Sequence, residues 1–169
     1  MRKIEPSDLP FLYQWENDAT MWADSDTHNP LSRHDLHQYI ENTTGDIYRD
    51  GQLRLIIEDS QLSTLNSQLS TKIVGCIDLF DFDARNRKAA IGMYIAPDAR
   101  GRGVGKQAVQ LLLDYAFNFL HLRMVYAIIS VNNVACSRLY EQMDFLPSSS
   151  LRAWTLEGDA ILWQKMNTN

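Results

Sequence analysis

Residues 87–121 read RKAAIGMYIAPDARGRGVGKQAVQLLLDYAFNFLH, and this stretch passes through three patterns in order. Its first part is mostly apolar and stops at Pro97, as a strand does. Its middle part carries three glycines and three basic residues. Its last part repeats apolar residues at helical spacing. The stretch therefore predicts a strand, a glycine loop and a long helix that follow one another directly.

The glycine loop, PDARGRGVGK at 97–106, is a candidate anion site. Backbone N–H groups at a helix N-terminus bind anions together with the positive end of the helix dipole, and glycines let the chain approach the anion closely. A Walker A loop would need a glycine in place of Arg100 and a serine or threonine in place of Gln107. A dinucleotide fingerprint, GxGxxG, does not fit the GxGxG spacing of residues 101–105. The loop thus predicts a phosphate site of another kind.

The composition is that of a soluble globular protein, with 45% hydrophobic and 22% charged residues. We expect residues 1–169 to form a single domain. No apolar run reaches the ~20 residues that span a membrane, and the acidic N-terminal stretch lacks the apolar region of a signal peptide. The two cysteines, Cys76 and Cys136, form no paired motif. We therefore expect a cytoplasmic protein with no membrane partner.

The charge is uneven along the chain. Residues 1–50 carry ten acidic and four basic side chains, whereas the rest of the chain is close to neutral. An acidic N-terminal third disfavours nucleic acid as a partner and favours a cationic ligand. The alternative is a solvated acidic surface without a ligand. The sequence leaves open whether the protein forms a homo-oligomer.

Helix and strand patterns alternate through the chain. In chain order, they predict helices over 7–18 and 31–43, strands over 52–59, 72–83 and 87–97, a helix over 105–121, a strand over 123–130, a helix over 132–145 and a hairpin over 152–166 that turns at 157–159. Ser32 is expected to cap the second helix, and Asn132 or Asn133 the last one. This order predicts an α/β (α+β) fold with a mixed, mostly antiparallel, twisted sheet flanked by helices.

A short repeat separates the first two long strands. The sequence SQLST occurs at 60–64 and again at 67–71. Polar residues repeated between two strands predict a lengthened hairpin loop. The alternative is a short amphipathic segment spaced by leucines.

Two segments resemble the GNAT acetyltransferases. Residues 100–105 match the pattern Q/R-x-x-G-x-G/A, and NNVACSRLYEQMDF at 132–145 resembles N-x-x-A/S-x-x-x-Y-E-x-x-G-F. The resemblance extends over about residues 4–166 and points to the spermidine/diamine and ribosomal-protein N-terminal acetyltransferases. It implies a single GNAT-type domain that moves the acetyl group of acetyl-CoA directly to a primary amine.

The resemblance also implies roles for individual residues. The glycine loop would bind the pyrophosphate of coenzyme A, and backbone N–H groups of the preceding strand would bind the pantetheine and polarise the thioester carbonyl. Asn133 would contact the pantetheine arm, and Tyr140 would protonate the leaving thiolate, as a phenol with a pKa of ~10 can. The alternative for Tyr140 is an ordinary residue of an amphipathic helix. The implied cofactor-binding residues are Met93, Tyr94, Ile95, Arg100, Gly101, Arg102, Gly103, Val104, Gly105, Lys106, Asn133 and Cys136.

The chain departs from the family at the position of the proton acceptor. Many relatives carry a glutamate where this chain has Ala90, and that glutamate helps to deprotonate the acceptor ammonium. Replacement candidates are Asp78, Asp81 and Asp83 on the preceding strand. Strand alternation predicts Asp81 and Asp83 on one face and Asp78 on the other. The alternative for each is a solvent-facing edge carboxylate.

Two further departures lie near the C-terminus. Asp144 stands where a glycine would end the last helix in a left-handed turn, a conformation that aspartate tolerates. Leu162 replaces an aspartate of the final hairpin, and this weakens assignment to a close subfamily.

The acidic N-terminal third makes a polyamine or another cationic small amine the first candidate acceptor. A peptide N-terminus is the second, and a non-catalytic CoA-binding module is the alternative from another class. Trp22 and Trp154 are candidate walls of the acceptor pocket. His34 and His37 lie three residues apart but have no evident third ligand, so we expect no metal site.

Overall fold

The computed structural model describes residues 1–19, 22, 29–62, 69–156 and 158–168. These residues form one seven-stranded sheet with helices on both faces. The strands are β1 (Arg2–Lys3), β2 (Leu53–Leu62), β3 (Leu69–Asp83), β4 (Lys88–Ile95), β5 (Met124–Ser130), β6 (Leu146–Thr155) and β7 (Gly158–Met166). The α-helices are α1 (Leu9–Glu16), α2 (Arg33–Asn42), α3 (Ile47–Asp50), α4 (Val104–Asp114) and α5 (Val134–Gln142).

The sheet has the strand order β1-β2-β3-β4-β5-β7-β6. All neighbouring strands are antiparallel except β4 and β5, which are parallel. A parallel pair needs a crossover connection, and α4 supplies it. The predicted mixed, mostly antiparallel sheet flanked by helices is confirmed.

Helices cover both faces of the sheet. On the first face α1 and α2 pack on the sheet, and Leu12, Leu36 and Ile56 belong to one buried cluster. On the second face lie α4 and α5, and Leu112 and Leu79 belong to a larger cluster. Alternate residues of a strand point to opposite faces, so β2, β3 and β4 each contribute to both clusters.

The helix ends follow the local chemistry predicted from the sequence. The hydroxyl of Ser32 caps α2 by accepting a hydrogen bond from the N–H of Asp35 at 3.1 Å. Asn133, rather than Asn132, caps α5. After α5, Asp144 has a φ of 58°, which confirms the expected left-handed turn at this position.

Two elements differ from their predicted bounds. The α-helical part of segment 105–121 ends at Asp114, and a π-helical turn continues it over Tyr115–Phe119. The C-terminal hairpin begins at Leu146 rather than at 152. Its first strand, β6, is an exposed edge strand, so its sequence carries no alternation of apolar and polar residues.

Some predictions fall on residues outside those described. The β2–β3 ladder continues to the pair Leu62–Leu69, but the loop of the SQLST repeat between them is not described. Most of the acidic stretch between α1 and α2 is also outside the described ranges, as is Glu157 of the predicted hairpin turn. Gly158, expected in that turn, already belongs to β7. None of the helices within the described ranges has the length and apolar character of a membrane span.

Candidate active site

The sheet opens between β4 and β5. These strands pair only where Lys88–Ala90 lies beside Met124–Tyr126, although β4 continues to Ile95 and β5 to Ser130. Over the same length β4 stays paired with β3, as far as Ile95. A cleft, here called the β4–β5 cleft, therefore begins directly after Ala90.

The backbone of β4 directs alternate N–H groups into this cleft. The N–H of Ala96 donates to a carbonyl of β3 at 2.9 Å, so it faces away from the cleft. Sides alternate along an antiparallel strand, which turns the N–H groups of Met93 and Ile95 toward the cleft and that of Tyr94 toward β3. The carbonyl of Ile95 also points away from β3, and it accepts a hydrogen bond from Nε of Arg100 at 2.9 Å. Three backbone N–H groups are predicted to bind the pantetheine. Those of Met93 and Ile95 face the cleft, whereas that of Tyr94 faces β3.

The glycine loop reaches the cleft in a conformation that needs glycine. Gly101 has a φ of 73° and Gly103, the N-cap of α4, a φ of 80°. Among the described residues, no heavy atom lies within 4 Å of where a Cβ would stand on either glycine. The first intrahelical bond of α4 is made by the N–H of Gln107 to Gly103 at 3.1 Å, so the N–H groups of residues 104–106 precede it. Open space and a first turn of outward amides fit a pyrophosphate.

Gly105 allows the first turn of α4 to pack closely against β4 and α5. A Cβ on Gly105 would lie 3.2 Å from Cε of Met93 and 3.5 Å from Cδ2 of Leu139. The first turn of α4 therefore packs directly against β4 and α5. The loop amides and the cleft-facing amides of β4 consequently belong to one continuous site.

The two arginines of the loop also hold it in place. Arg100 donates from Nε to the carbonyl of Ile95, and Arg102 donates from Nη2 to Oδ2 of Asp59 on β2 at 2.7 Å. Both guanidinium groups thus fix the loop to neighbouring strands, Arg100 to β4 and Arg102 to β2. Asp59 has no role in the sequence prediction, because 43 residues separate it from Arg102.

Tyr140 lies on α5 and is only 2% exposed. Its ring packs edge-on against Phe145, with ring centroids 4.8 Å apart. Burial, together with Cys136 one turn earlier and the charge of Asp78, raises the pKa of Tyr140 well above its ordinary value. The phenol therefore stays protonated at neutral pH, the state required of a proton donor.

Asn133 has a structural task at the start of the same helix. Its Oδ1 accepts the N–H of Cys136 at 3.1 Å and so caps α5. This places both residues in the first turn of the helix that carries Tyr140. Their predicted contact with the pantetheine arm stays a prediction.

A buried ionic network lies on the face of the sheet that α1 and α2 cover. Oδ2 of Asp78 accepts from Nε2 of Gln52 at 2.6 Å and from Nη2 of Arg54 at 3.1 Å. Nη1 of Arg54 donates to Oε1 of Glu16 at 2.6 Å, and its guanidinium lies 5.6 Å from the ring centroid of Tyr39. Burial opposes the charge of Arg54, but Asp78 and the other neighbours raise its pKa above the ordinary value. Arg54 is therefore a permanent cation between two carboxylates.

Asp78 reaches the beginning of the cleft. It lies opposite Gly92 across the β3–β4 ladder, and a Cβ on Gly92 would stand 3.0 Å from Oδ1 of Asp78. Gly92 points to the same face as Ala90, two residues earlier, where β4 and β5 begin to separate. The carboxylate therefore lies on the same face as the position at which the family glutamate is missing and diagonal to it, while Phe80 is directly opposite Ala90.

The prediction that Asp78 and Asp81 lie on opposite faces is wrong. Asp81 has a φ of 49° in a register shift between Phe80 and Asp83, and this bulge turns it over. Its carboxylate accepts a hydrogen bond from the hydroxyl of Tyr126. Tyr126 lies on the same face of the sheet as Asp78. Asp83 accepts the N–H of Asn86 at 2.8 Å in the turn that follows.

Trp22 and Trp154, the two predicted walls of the acceptor pocket, lie in different parts of the molecule. Nε1 of Trp22 donates to the carbonyl of Glu16 at 2.9 Å, which puts this ring beside the ionic network. Trp154 lies on β6, with β7 between it and β5, and is 56% exposed. Trp15 of α1 packs against Tyr94, with ring centroids 5.1 Å apart. No cluster of three metal-ligating side chains occurs in the described part of the chain, and His37 instead contacts Glu41 at 3.3 Å.

The sequence analysis missed the roles of Arg54, Glu16 and Gln52. Arg54 is 38 residues from Glu16 and 24 from Asp78, so no local motif joins them. The available signal was a single arginine within the apolar pattern QLRLIIED, facing the single aspartate of KIVGCIDLF. An arginine and an aspartate on buried strand faces need each other as partners.

Comparison with known proteins agrees with this geometry. Residues 1–146 match the acetyltransferase (GNAT) domain family. The spermidine N(1)-acetyltransferase of Vibrio cholerae is 25% identical over 154 residues, which is 89% of this chain and 80% of that protein. The enzyme of the same name from Escherichia coli K12 is 22% identical over 148 residues, 86% of this chain and 71% of that protein.

A structural comparison gives the same fold. The crystal structure of the Vibrio cholerae spermidine N-acetyltransferase in complex with CoA and spermine superposes with a TM-score of 0.83 and 21% identity. The match covers 99% of this chain and 94% of that one. The chain belongs to the GNAT acetyltransferase family and is an acetyl-CoA-dependent N-acetyltransferase.

Proposed function

We propose that the protein acetylates a small cationic amine, with a polyamine as the first candidate. The observation that carries this choice is the Glu16–Arg54–Asp78 network beside the β4–β5 cleft. Two carboxylates surround one guanidinium there, and this arrangement favours a cation in the adjoining space. The likeness to two spermidine N(1)-acetyltransferases supports the same acceptor class.

The site residues divide the reaction between them. Acetyl-CoA supplies an acetyl group activated as a thioester, and the loop amides at 104–106 hold its pyrophosphate. The cleft-facing N–H groups of Met93 and Ile95 donate to the thioester oxygen as negative charge develops on it. A neutral amine forms the new C–N bond, the C–S bond breaks, and Tyr140 protonates the leaving sulfur. Asn133 and Cys136 hold the start of α5 and thereby the position of Tyr140.

Cellular context belongs to the same proposal. A reducing cytoplasm supplies acetyl-CoA and polyamines and keeps Cys76 and Cys136 as free thiols, as they are in the structure. The Vibrio cholerae relative has been solved as a dodecamer, and we include a homo-oligomer in the proposal. Nucleic acid is not an expected partner, because the N-terminal third is acidic.

A second acceptor class has one observation in its favour. The putative ribosomal N-acetyltransferase YdaF of Bacillus subtilis is 35% identical over 80 residues, but this is 47% of the chain. A peptide N-terminus would also be a primary ammonium attracted by the same carboxylates. The two classes differ in the length of substrate that must enter the cleft.

A thiol-release assay separates these acceptors. The purified protein is incubated with acetyl-CoA and, in turn, spermidine, putrescine, an aminoglycoside and Ser- or Ala-initiated peptides. We expect release of free coenzyme A with the polyamines. Release with peptides alone would assign the second class, and release with none of them, despite binding of acetyl-CoA, would indicate a non-catalytic CoA-binding module.

A further inference from the structure

We propose that Asp78 binds the acceptor ammonium and takes up its proton, in place of the carboxylate that residue 90 lacks. This inference rests on the proposed acetylation of an amine. Ala90 cannot accept a proton, yet an ammonium must lose one before its nitrogen can attack the thioester. A group of this chain close to the start of the β4–β5 cleft is therefore required.

The location of Asp78 meets this requirement. It lies opposite Gly92 and diagonal to Ala90, on the face of the sheet that α1 and α2 cover. Its Oδ1 would be 3.0 Å from a Cβ on Gly92, so the carboxylate lies directly above the β4 backbone. The residues at 90 and 92 are small, and the ring of Phe80, whose Cε1 would be 3.2 Å from the same Cβ, borders the space beside this oxygen.

The two carboxylate oxygens of Asp78 differ in their hydrogen bonds. Within the described part of the chain, all hydrogen bonds to this carboxylate end on Oδ2, from Gln52 and from Nε and Nη2 of Arg54. A carboxylate oxygen can accept two hydrogen bonds, so Oδ1 keeps its acceptor capacity. One oxygen thus holds the group in place and the other is available to an ammonium.

Arg54 acts as a positioning residue. It approaches Asp78 at 3.1 Å and Glu16 at 2.6 Å, and its guanidinium lies over the ring of Tyr39. Because Glu16 offsets the charge of Arg54, the negative charge of Asp78 is not cancelled. Among the described residues, the other titratable groups that interact electrostatically with Asp78 include Tyr39 on α2, Cys76 on its own strand and Tyr140 on α5.

The competing carboxylates of β3 are held by other hydrogen bonds. Asp81 accepts a hydrogen bond from the hydroxyl of Tyr126, the residue paired with Ala90, so its carboxylate is near this position but is engaged by that hydroxyl. Asp83 accepts both the backbone N–H and Nδ2 of Asn86, at 2.8 and 2.6 Å, in the β3–β4 turn. Of the three candidates, Asp78 alone lies beside Gly92 and is coupled to Tyr140 through its charge.

The proton balance assigns a different task to each group. An acceptor ammonium carries two protons more than the amide nitrogen of the product. Asp78 takes the first, holds it while the acetyl group is transferred, and passes it to water afterwards. The second leaves the nitrogen after the C–N bond has formed, and it replaces the proton that Tyr140 gives to sulfur as the C–S electron pair departs. Ammonium and acetyl-CoA thus yield the amide, the free thiol of coenzyme A and one proton.

The test compares Asp78→Asn with the matched control Asp81→Asn. We expect Asp78→Asn to lower kcat/KM for spermidine about 100-fold or more near pH 7, the usual effect of a general base. The loss should shrink as the pH approaches the amine pKa of ~10, because solvent then supplies the neutral amine. The acetyl-CoA-induced rise in Tm should persist, and Asp81→Asn should stay within about threefold of the parent protein.

Three results would overturn the inference. The first is an Asp78→Asn rate within a few-fold of the parent rate, and the second is a loss that stays constant with pH. The third needs no variant and so applies even if Asp78→Asn does not fold: a parent rate that rises tenfold per pH unit up to the amine pKa would show that no protein group accepts the proton. A parent protein that acetylates no amine would instead remove the proposed function, and this inference with it.

Discussion

Tyr140 and Asp78 lie on opposite faces of the sheet, and an electrostatic interaction connects them. Tyr140 belongs to the core on the α4 and α5 face, whereas Asp78 belongs to the network under α1 and α2. The charge of Asp78 nevertheless contributes to the raised pKa of Tyr140. Asp78 lies opposite Gly92, next to the point after Ala90 where β4 and β5 separate.

Tyr140→Phe should lower kcat at least tenfold with little change in the affinity for acetyl-CoA. The hydroxyl is the only group removed, and the ring contact with Phe145 remains. Because burial holds the pKa of Tyr140 well above its ordinary value, the parent kcat should not fall through loss of this proton below about pH 10. Steady-state kinetics and a thermal shift with acetyl-CoA check both points. A variant that turns over at the parent rate would exclude Tyr140 as the proton donor.

Gly103→Ala should weaken acetyl-CoA binding and lower the free energy of unfolding by about 1–2 kcal/mol, since φ at this residue is 80°. Gly51→Ala is the matched control, because Gly51 has a φ of 70° and equally open surroundings but lies at the end of α3. Both variants should lose similar stability in urea unfolding. Only Gly103→Ala should raise the KM for acetyl-CoA, and equal KM values would argue against pyrophosphate binding at the loop.

Replacement of either cysteine should leave acetyl transfer intact. Burial raises the pKa of Cys76 to about 12, so its thiol is not ionised at neutral pH, and Cys136 serves to start α5. Cys76→Ala and Cys136→Ala should each keep kcat within about threefold of the parent value. Initial rates should give intersecting lines, as direct transfer requires. Parallel lines together with loss of activity in either variant would indicate an acetyl-cysteine intermediate instead.

Asp8→Asn should destabilise the fold by about 2 kcal/mol at neutral pH. Asp8 is fully buried and accepts from Arg2 at 2.7 and 2.8 Å and from the N–H of Glu5 at 2.8 Å. Burial opposes the charge of Asp8, but these bonds hold its pKa below the ordinary value. Its contribution is therefore present above about pH 4 and is lost as the pH falls through the lowered pKa.

Urea unfolding at several pH values measures this effect. The parent protein should lose stability below pH 4 more steeply than Asp8→Asn, because the variant has no carboxylate to protonate at this position. Identical slopes for the two proteins in this range would contradict the assignment to Asp8.

The sequence predicts best what neighbouring residues determine. The strand before Pro97, the glycine loop and the helix after it follow from patterns within 35 residues of one another. The caps at Ser32 and Asn133 are equally local. These features together are enough to predict the fold class and a cofactor loop.

The sequence predicts poorly what depends on partners far along the chain. Whether Tyr94 or Met93 turns its N–H to the cleft depends on the register of β4 against β3. The bulge at Asp81 moves its carboxylate to the other face of the sheet, and no neighbouring residue type predicts a bulge there. The partnership of Arg54 with Asp78 requires two strands to be in register, so it emerges only from the folded sheet.

We propose above all that this protein transfers acetyl groups to a polyamine. The most direct measurement is mass spectrometry of an equimolar mixture of spermidine and a Ser-initiated peptide after incubation with acetyl-CoA and the parent protein. We predict monoacetylated spermidine and unmodified peptide, with much less product for Asp78→Asn near pH 7. Acetylated peptide beside unmodified spermidine, or no product despite bound acetyl-CoA, would contradict the claim.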